Sequence, residues 1–163
     1  MVSRTYPELM QFLKRAPINM QTQIVKIARQ WLNTPFKHQG RVKHVGCDCL
    51  GLVAGVLKEL NLKLNGNEIA AIDNTNYSAL PDGVLLQQAL EQYLERSEQG
   101  RIEAGNILLM RFHRQPQHLA IVTPYENGLG IIHSYAQAGK VVEHRLDELW
   151  QSRIVAAYKV PTE

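Results

Sequence analysis

Cysteine is scarce in this chain: among 163 residues only Cys47 and Cys49 carry thiols. They stand too close together for an easy mutual disulfide. No disulfide framework is therefore expected, and both read as free thiols. No apolar run reaches the roughly 20 residues that a membrane-spanning helix needs. The first residues mix polar and apolar types, with Arg4, Lys14 and Arg15 and no continuous apolar stretch. That argues against a secretory leader and for synthesis in a cytoplasm. Blocks of like charge are also missing. Lys and Arg number 18 against 15 Asp and Glu, a formal charge of +3. This mild excess tolerates an anionic partner such as a wall polymer but gives no nucleic-acid stripe. Repeats, low-complexity tracts and interdomain linkers are absent as well. What remains is the length of one compact domain, and a 45% hydrophobic content suffices to build its core.

The chain changes period along its length. Leu9, Phe12 and Leu13 suggest a short helix over Pro7–Arg15, ended by Pro17. Residues 1–19 otherwise read as an extension of unknown role, ahead of a domain over 20–163. Ile24, Ile27, Ala28 and Trp31 recur at helical spacing over Met20–Trp31, and Asn33-Thr34-Pro35 stops that helix. A polar loop, Lys37–His44, leads to a second helix from Cys49 to about Leu60. Asn61–Asp82 reads as a loop-rich insertion. Leu86, Leu90 and Leu94 suggest a third helix over Gly83–Gln99, closed by Gly100. Five short runs rich in Val, Ile and aromatics follow: Ile107–Phe112, His118–Thr123, Leu129–Tyr135, Lys140–Arg145 and Ile154–Val160. Asn127-Gly128 marks a hairpin between the second and third. Helices first and strands afterwards predict an α+β fold, with N-terminal helices on an antiparallel sheet of about five strands.

Chemistry concentrates at Asp48-Cys49. Asp48 is a candidate N-cap, and Cys49 then falls in the first helical turn. There the helix dipole and unpaired N–H groups favour a thiolate. Gly51 and Gly55 lie on one helical face, which permits close approach of another element. Cys47 precedes the helix and reads as structural. Of six histidines, His38 and His44 lie in a polar loop, His113 in a turn and His144 among charges, all contexts of surface residues. His118 opens one apolar strand and His133 follows Ile131-Ile132 on the next. Neighbouring strands can bring these two together as the base and orienting group that a nucleophilic thiol needs. Each can equally be a histidine that caps a strand edge. Cys47, Cys49, His118 and His133 also contain the donors of a Cys2His2 zinc site, but Cys-x-Cys is shorter than the usual ligand spacing. Neither a metal nor a cofactor is expected.

These motifs together resemble the NlpC/P60 family of papain-like cysteine peptidases. The resemblance runs from about Met20 to Pro161. It rests on Asp48-Cys49-Leu50-Gly51-Leu52-Val53, His118-Leu119-Ala120-Ile121-Val122, Ile132-His133-Ser134 and the turn Gly105-Asn106. It implies Cys49 as nucleophile, His118 as general base and His133 as the residue that orients it. Asp48, Phe36, His38, Gln39 and Ser134 then fall in the vicinity of substrate and oxyanion, with the Cys49 N–H as oxyanion donor. The reaction implied is hydrolysis of an amide in peptidoglycan stem peptides, commonly between D-glutamate and a diamino acid. Thr34–Arg41, together with Val142–Arg145 and Ile154–Tyr158, is similar to the phage-type branch associated with tails and cell-wall entry. Partners implied are peptidoglycan peptides and proteins of a phage tail or secretion assembly. The site of action implied is the wall, reached by a particle, a secretion system or lysis. Two other readings share the scaffold: an amidase or acyltransferase, and a catalytically silent structural part of such an assembly. Phe36 favours the silent reading, because relatives often place a Tyr hydroxyl there. That assistance is then either absent or supplied by a neighbour such as His38 or Gln39.

Overall fold

The computed structural model describes residues 7, 19–77, 82–112 and 114–161. The expected Pro7–Arg15 helix, the N-terminal extension and His113 lie outside the described residues, apart from Pro7 and Asn19.

The first helix, α1 (Met20–Gln30), begins where the Asn19 side chain accepts a hydrogen bond from Thr22 N. Its face of Ile24, Val25 and Ala28 is buried. A two-stranded ribbon follows, β1 (Arg41–Val42) against β2 (Gly46–Cys47). It delivers the chain to α2 (Cys49–Glu59), where Gly51 to Leu57 are buried without interruption. A helix buried all round is the core of a domain rather than its rim. The two glycines set how deeply it sits. A Cβ on Gly51 would stand 1.9 Å from the Gly40 carbonyl oxygen, and one on Gly55 would stand 2.3 Å from the Trp31 ring. Trp31 Nε1 donates to Glu59 at 2.9 Å, so the indole that fills the Gly55 notch is also anchored.

The insertion holds a small hairpin, β3 (Lys63–Leu64) and β4 (Asn67–Glu68), and a one-turn helix, α3 (Ile69–Ile72). The next helix, α4 (Gly83–Tyr93), is shorter than its leucine spacing predicts. At Leu94 the backbone turns extended, with φ −116° and ψ 158°. Glu95–Arg96 then pairs with the sheet as β5, through Tyr158↔Arg96. Edge pairing wins over continued helix there.

The sheet is antiparallel and six-stranded, in the order β5-β10-β6-β7-β8-β9. Its long members are β6 (Ile107–Phe112), β7 (Gln115–Tyr125), β8 (Gly128–Tyr135), β9 (Lys140–Arg145) and β10 (Ile154–Lys159). These are the five expected strands, with β5 added at one edge. The β7–β8 turn is Glu126-Asn127, because Tyr125 already pairs with Gly128. Alternation splits the sheet residues between two clusters. Ile107, Leu109, Leu119, Ile121 and Ile132 join α1, α2 and α4 in the main core. Leu108, Met110, Ala120, Val122 and Ile131 form a second cluster on the other face. Trp150 of the short helix α5 (Glu148–Gln151) covers that cluster.

A strap ties the two halves together. Asn33 N donates to Val141 O, Val141 N to Thr34 O, and Phe36 N to Gly139 O, so residues 33–36 run along the free edge of β9. Cys47 N then donates to Pro35 O and Lys37 N to Cys47 O, which carries the strap directly onto the segment before α2.

Candidate active site

Asp48 is the N-cap of α2, and its Oδ1 accepts from Gly51 N at 2.8 Å. That leaves the Cys49 and Leu50 amides of the first turn free of helical partners. Both lie within reach of the Cys49 sulfur, as does the backbone N–H of Leu119, the neighbour of His118. These donors favour charge on sulfur, but burial outweighs them and pushes the thiol up to about 12, with Asp48 adding to the rise. At this half-buried sulfur, desolvation opposes the helix dipole, which favours the thiolate. Cys47 is fully buried in the main core and does not line the cleft.

Three histidines continue the site on the sheet. His118 Nε2 lies 2.7 Å from His133 Nδ1, and His133 Nε2 lies 2.8 Å from His144 Nε2. His144 Nδ1 lies 2.9 Å from the Arg145 carbonyl oxygen. A carbonyl only accepts, so His144 must carry its proton on Nδ1. His144 Nε2 then accepts from His133 Nε2–H, and His133 Nδ1 accepts from His118 Nε2–H. With His144 in its neutral form, one backbone oxygen thus fixes every tautomer in the row. His118 Nδ1 is left as an unprotonated lone pair, the form a general base requires. Burial pushes His118 down to about 3, with Arg153 contributing. It pushes His133 down to about 2, helped by His118, His144 and Arg153. Both rings are neutral at pH 7.

Sequence reading placed His144 among surface charges. Strand alternation explains why that reading missed it. Val122 pairs with Ile131 and Ile131 with His144, so His118, His133 and His144 share one face. The flanking Glu143 belongs to the other face, where Arg29 Nη2 of α1 bonds it at 3.0 Å. Tyr135 stacks on His133 with centroids 5.2 Å apart, and Trp150 meets the same ring edge-on at 4.9 Å.

The loop side of the cleft is organised by Asp48. Its Oδ2 accepts from Gln39 N at 2.8 Å and from the Tyr77 hydroxyl at 2.5 Å, and Arg41 Nη1 reaches Oδ1 at 3.2 Å. Arg41 also donates to Asp73 and to the Tyr77 oxygen. Burial, then the bond to Asp48, raises the Tyr77 phenol, so it remains a donor at neutral pH. The cleft that Phe36 lines also holds Tyr77, from the insertion, whose hydroxyl proton is given to Asp48. His38 lines the cleft and stands edge-on to Tyr77. Gln39 does not line it; its side chain holds the Tyr77 carbonyl at 2.6 Å from behind. Ser134 lines the cleft, yet its hydroxyl donates to the Cys47 carbonyl at 2.7 Å and so joins β8 to the lead of α2.

Cys49, His118, Phe36, Asp48 and Tyr77 thus border one cleft of about 660 Å³, large enough for a peptide segment. Among the described residues, no group of three or more His, Cys, Asp or Glu side chains is arranged to hold a metal ion. A model of the NlpC/P60 family matches residues 33–159.

The chain belongs to the NlpC/P60 family. Solved NlpC/P60 structures share its fold at low sequence identity. The NlpC/p60 domain of the peptidoglycan hydrolase SagA superposes with a TM-score of 0.59 at 18% identity, covering 87% of this chain and 99% of that one. An NlpC/P60 protein from Bacillus cereus ATCC 10987 gives 0.60 at 14% identity, covering 88% of this chain and 41% of that one. An N-acetylmuramoyl-L-alanine amidase from Bacteroides uniformis ATCC 8492 gives 0.55 at 14%, covering 87% and 99%. Comparison with curated protein sequences gives no match.

Proposed function

We propose that this NlpC/P60 member is a cysteine endopeptidase that hydrolyses the amide between D-glutamate and a diamino acid in peptidoglycan stem peptides. The observation that carries the reading is the histidine row, whose fixed tautomers leave His118 Nδ1 as an open base in the cleft that Cys49 borders. Cys49 is the nucleophile. Because thiol and imidazole rest neutral, the proton passes from Cys49 to His118 as sulfur attacks the amide carbon, not beforehand. The Cys49 and Leu50 amides at the start of α2 meet the developing oxyanion. The tetrahedral intermediate collapses to a thioester as His118 returns the proton to the departing amine. Water, deprotonated by His118, then attacks the thioester, and the carboxylic acid leaves as the thiol re-forms. His133 and His144 are positioning residues, since both act through His118.

The Cys49 and Leu50 amides beside the sulfur support an active enzyme over a silent structural part, and Tyr77, its proton given to Asp48, holds that helix cap in place. The phage-type motifs support delivery to the wall by a tail or similar assembly. The deciding experiment is mass spectrometry of defined muropeptides after incubation with the protein. A new amine on the diamino acid is the expected product, and Cys49→Ala should form none. Release of lactyl-linked L-alanine would instead identify an amidase, and cleavage by Cys49→Ala would overturn the nucleophile.

A further inference from the structure

Arg153 is a cation on the cleft wall that the proposed reaction leaves unused. It lies just ahead of β10. Its guanidinium carbon stands 4.5 Å from the Trp150 ring centroid and 5.0 Å from that of Phe112. Aromatic faces hold such a group without using its N–H fork. Its Nη1 is buried and has no hydrogen-bond partner among the described residues. No carboxylate among them forms an ion pair with it. The carboxylates of the same cleft are already engaged: Asp48 by Arg41 and Tyr77, and Asp82 by Val84 N. A buried guanidinium N–H without an acceptor is costly, and the group that best matches its fork is a carboxylate. A second cation, Arg111, stands exposed on the same cleft.

Position says which part of a substrate would bring that carboxylate. Phe112 lies under Arg153 and also against His118, with centroids 4.7 Å apart. His118 delivers its proton to the leaving amine, so the wall around it meets the residue that carries that amine. We propose that Arg153 binds a free side-chain carboxylate on the residue whose amine is released, selecting a diamino dicarboxylic acid of the diaminopimelate kind over lysine. This rests on the endopeptidase reading above and narrows it to one wall chemistry. It also couples recognition to rate. The charge on Arg153 opposes protonation of His118. A carboxylate seated on the guanidinium cancels that opposition while the thiol proton is in transit.

The test compares three tetrapeptides ending in D-alanine amide, so that only the side chain differs at the amine-side residue. One carries diaminopimelate, one its side-chain amide and one lysine. The wild-type protein should cleave the first with kcat/KM about 10- to 100-fold above the other two, the range of one charged hydrogen-bonding contact. Arg153→Gln should bring that ratio near one, and Arg153→Lys should retain part of it. A wild-type ratio near one, an unchanged ratio in Arg153→Gln, or dependence on the D-glutamate carboxylate instead would overturn the proposal. Equilibrium binding of the same peptides to Cys49→Ala and to Cys49→Ala with Arg153→Gln, each checked for a native melting transition, reads the contact without turnover. Carboxylate-dependent binding without cleavage by the wild type would leave Arg153 standing and sink the endopeptidase. Cleavage and binding without discrimination would do the reverse.

Discussion

Replacing His144 by Phe tests the tautomer row at its far end, away from substrate. In the native site, His133 Nε2–H donates to His144 Nε2, and His144 is held in the accepting tautomer by the Arg145 carbonyl. The opposite tautomer of His133 would set two lone pairs against each other or break the bond to the carbonyl. That costs about 1–3 kcal/mol for a buried group. His133 is fully buried, so Phe at 144 removes its acceptor without offering water freely in exchange. The productive tautomer then leaves a buried N–H unpaired, whereas the reversed one leaves only a lone pair, the smaller penalty. A bias of about 1–1.5 kcal/mol toward the reversed form leaves roughly a tenth of the molecules productive. In the remainder, His118 carries its proton on Nδ1 and cannot act as base. The expected loss is about ten-fold in kcat with little change in KM, measured on the muropeptide that the wild type cleaves. His144→Gln, whose amide oxygen can accept from His133, should recover most of the rate. Nitrogen-15 spectra of the imidazoles should show His133 protonated at Nε2 in the wild type and shifted toward Nδ1 in His144→Phe. Unchanged turnover in the Phe variant, or a wild-type His133 protonated at Nδ1, would refute the row as a device that sets the base.

Two further expectations concern pH. His118 and His133 are buried neutral, their folded pKa values pushed down to about 3 and about 2 from an ordinary 6.5. Above pH 6.5 both states are neutral and the two rings add no pH dependence. Below it, the unfolded chain takes up protons that the folded one refuses, so stability falls as the pH drops toward 3. Each histidine steepens the fall by about 1.4 kcal/mol per pH unit. Melting temperatures between pH 6.5 and 4 should therefore drop less steeply in His133→Asn than in the wild type, and parallel curves would contradict the burial argument. Alkylation of Cys49 by iodoacetamide should accelerate with rising pH through neutrality, because the thiol sits far above its ordinary range. A rate already on its plateau at pH 5 would indicate a preformed thiolate and refute the neutral resting pair.

Much of this was legible in residues whose meaning is local. Asp48 as a cap, Cys49 in the first turn and the glycine notches follow from helix chemistry, and the five long strands follow from period and turn residues. Cys49 and His118 border one cleft, with His133 buried against His118, at the spacing the motifs already carry. What escaped was set by register and by distance along the chain. His144 looked like a surface residue because its neighbours are charged, and only pairing with Ile131 turns it toward His133. Tyr77 lies in a stretch rich in Asn, Asp and Gly, with no pattern to say that its hydroxyl would meet Asp48. Arg153 sits ahead of the last strand, and nothing local predicts the aromatic faces that hold it. A helix terminus is likewise visible in sequence, whereas the desolvation that opposes it at the Cys49 sulfur is not.

The strap at residues 33–36 bears on where this protein tolerates alteration. It is hydrogen-bonded to the β9 edge at Val141 and Gly139 and to Cys47 at its other end. Nucleophile and histidine row are thus held in common alignment by a backbone splint. A nick or an added residue between Leu32 and Cys47 would shift α2 against the sheet and spoil the alignment even with every catalytic side chain intact. The Asn65-Gly66 turn offers the contrast, since a Cβ on Gly66 would meet nothing within 4 Å. Tags, reporter loops or permuted termini belong at that turn, where the chain can be opened without loosening the splint.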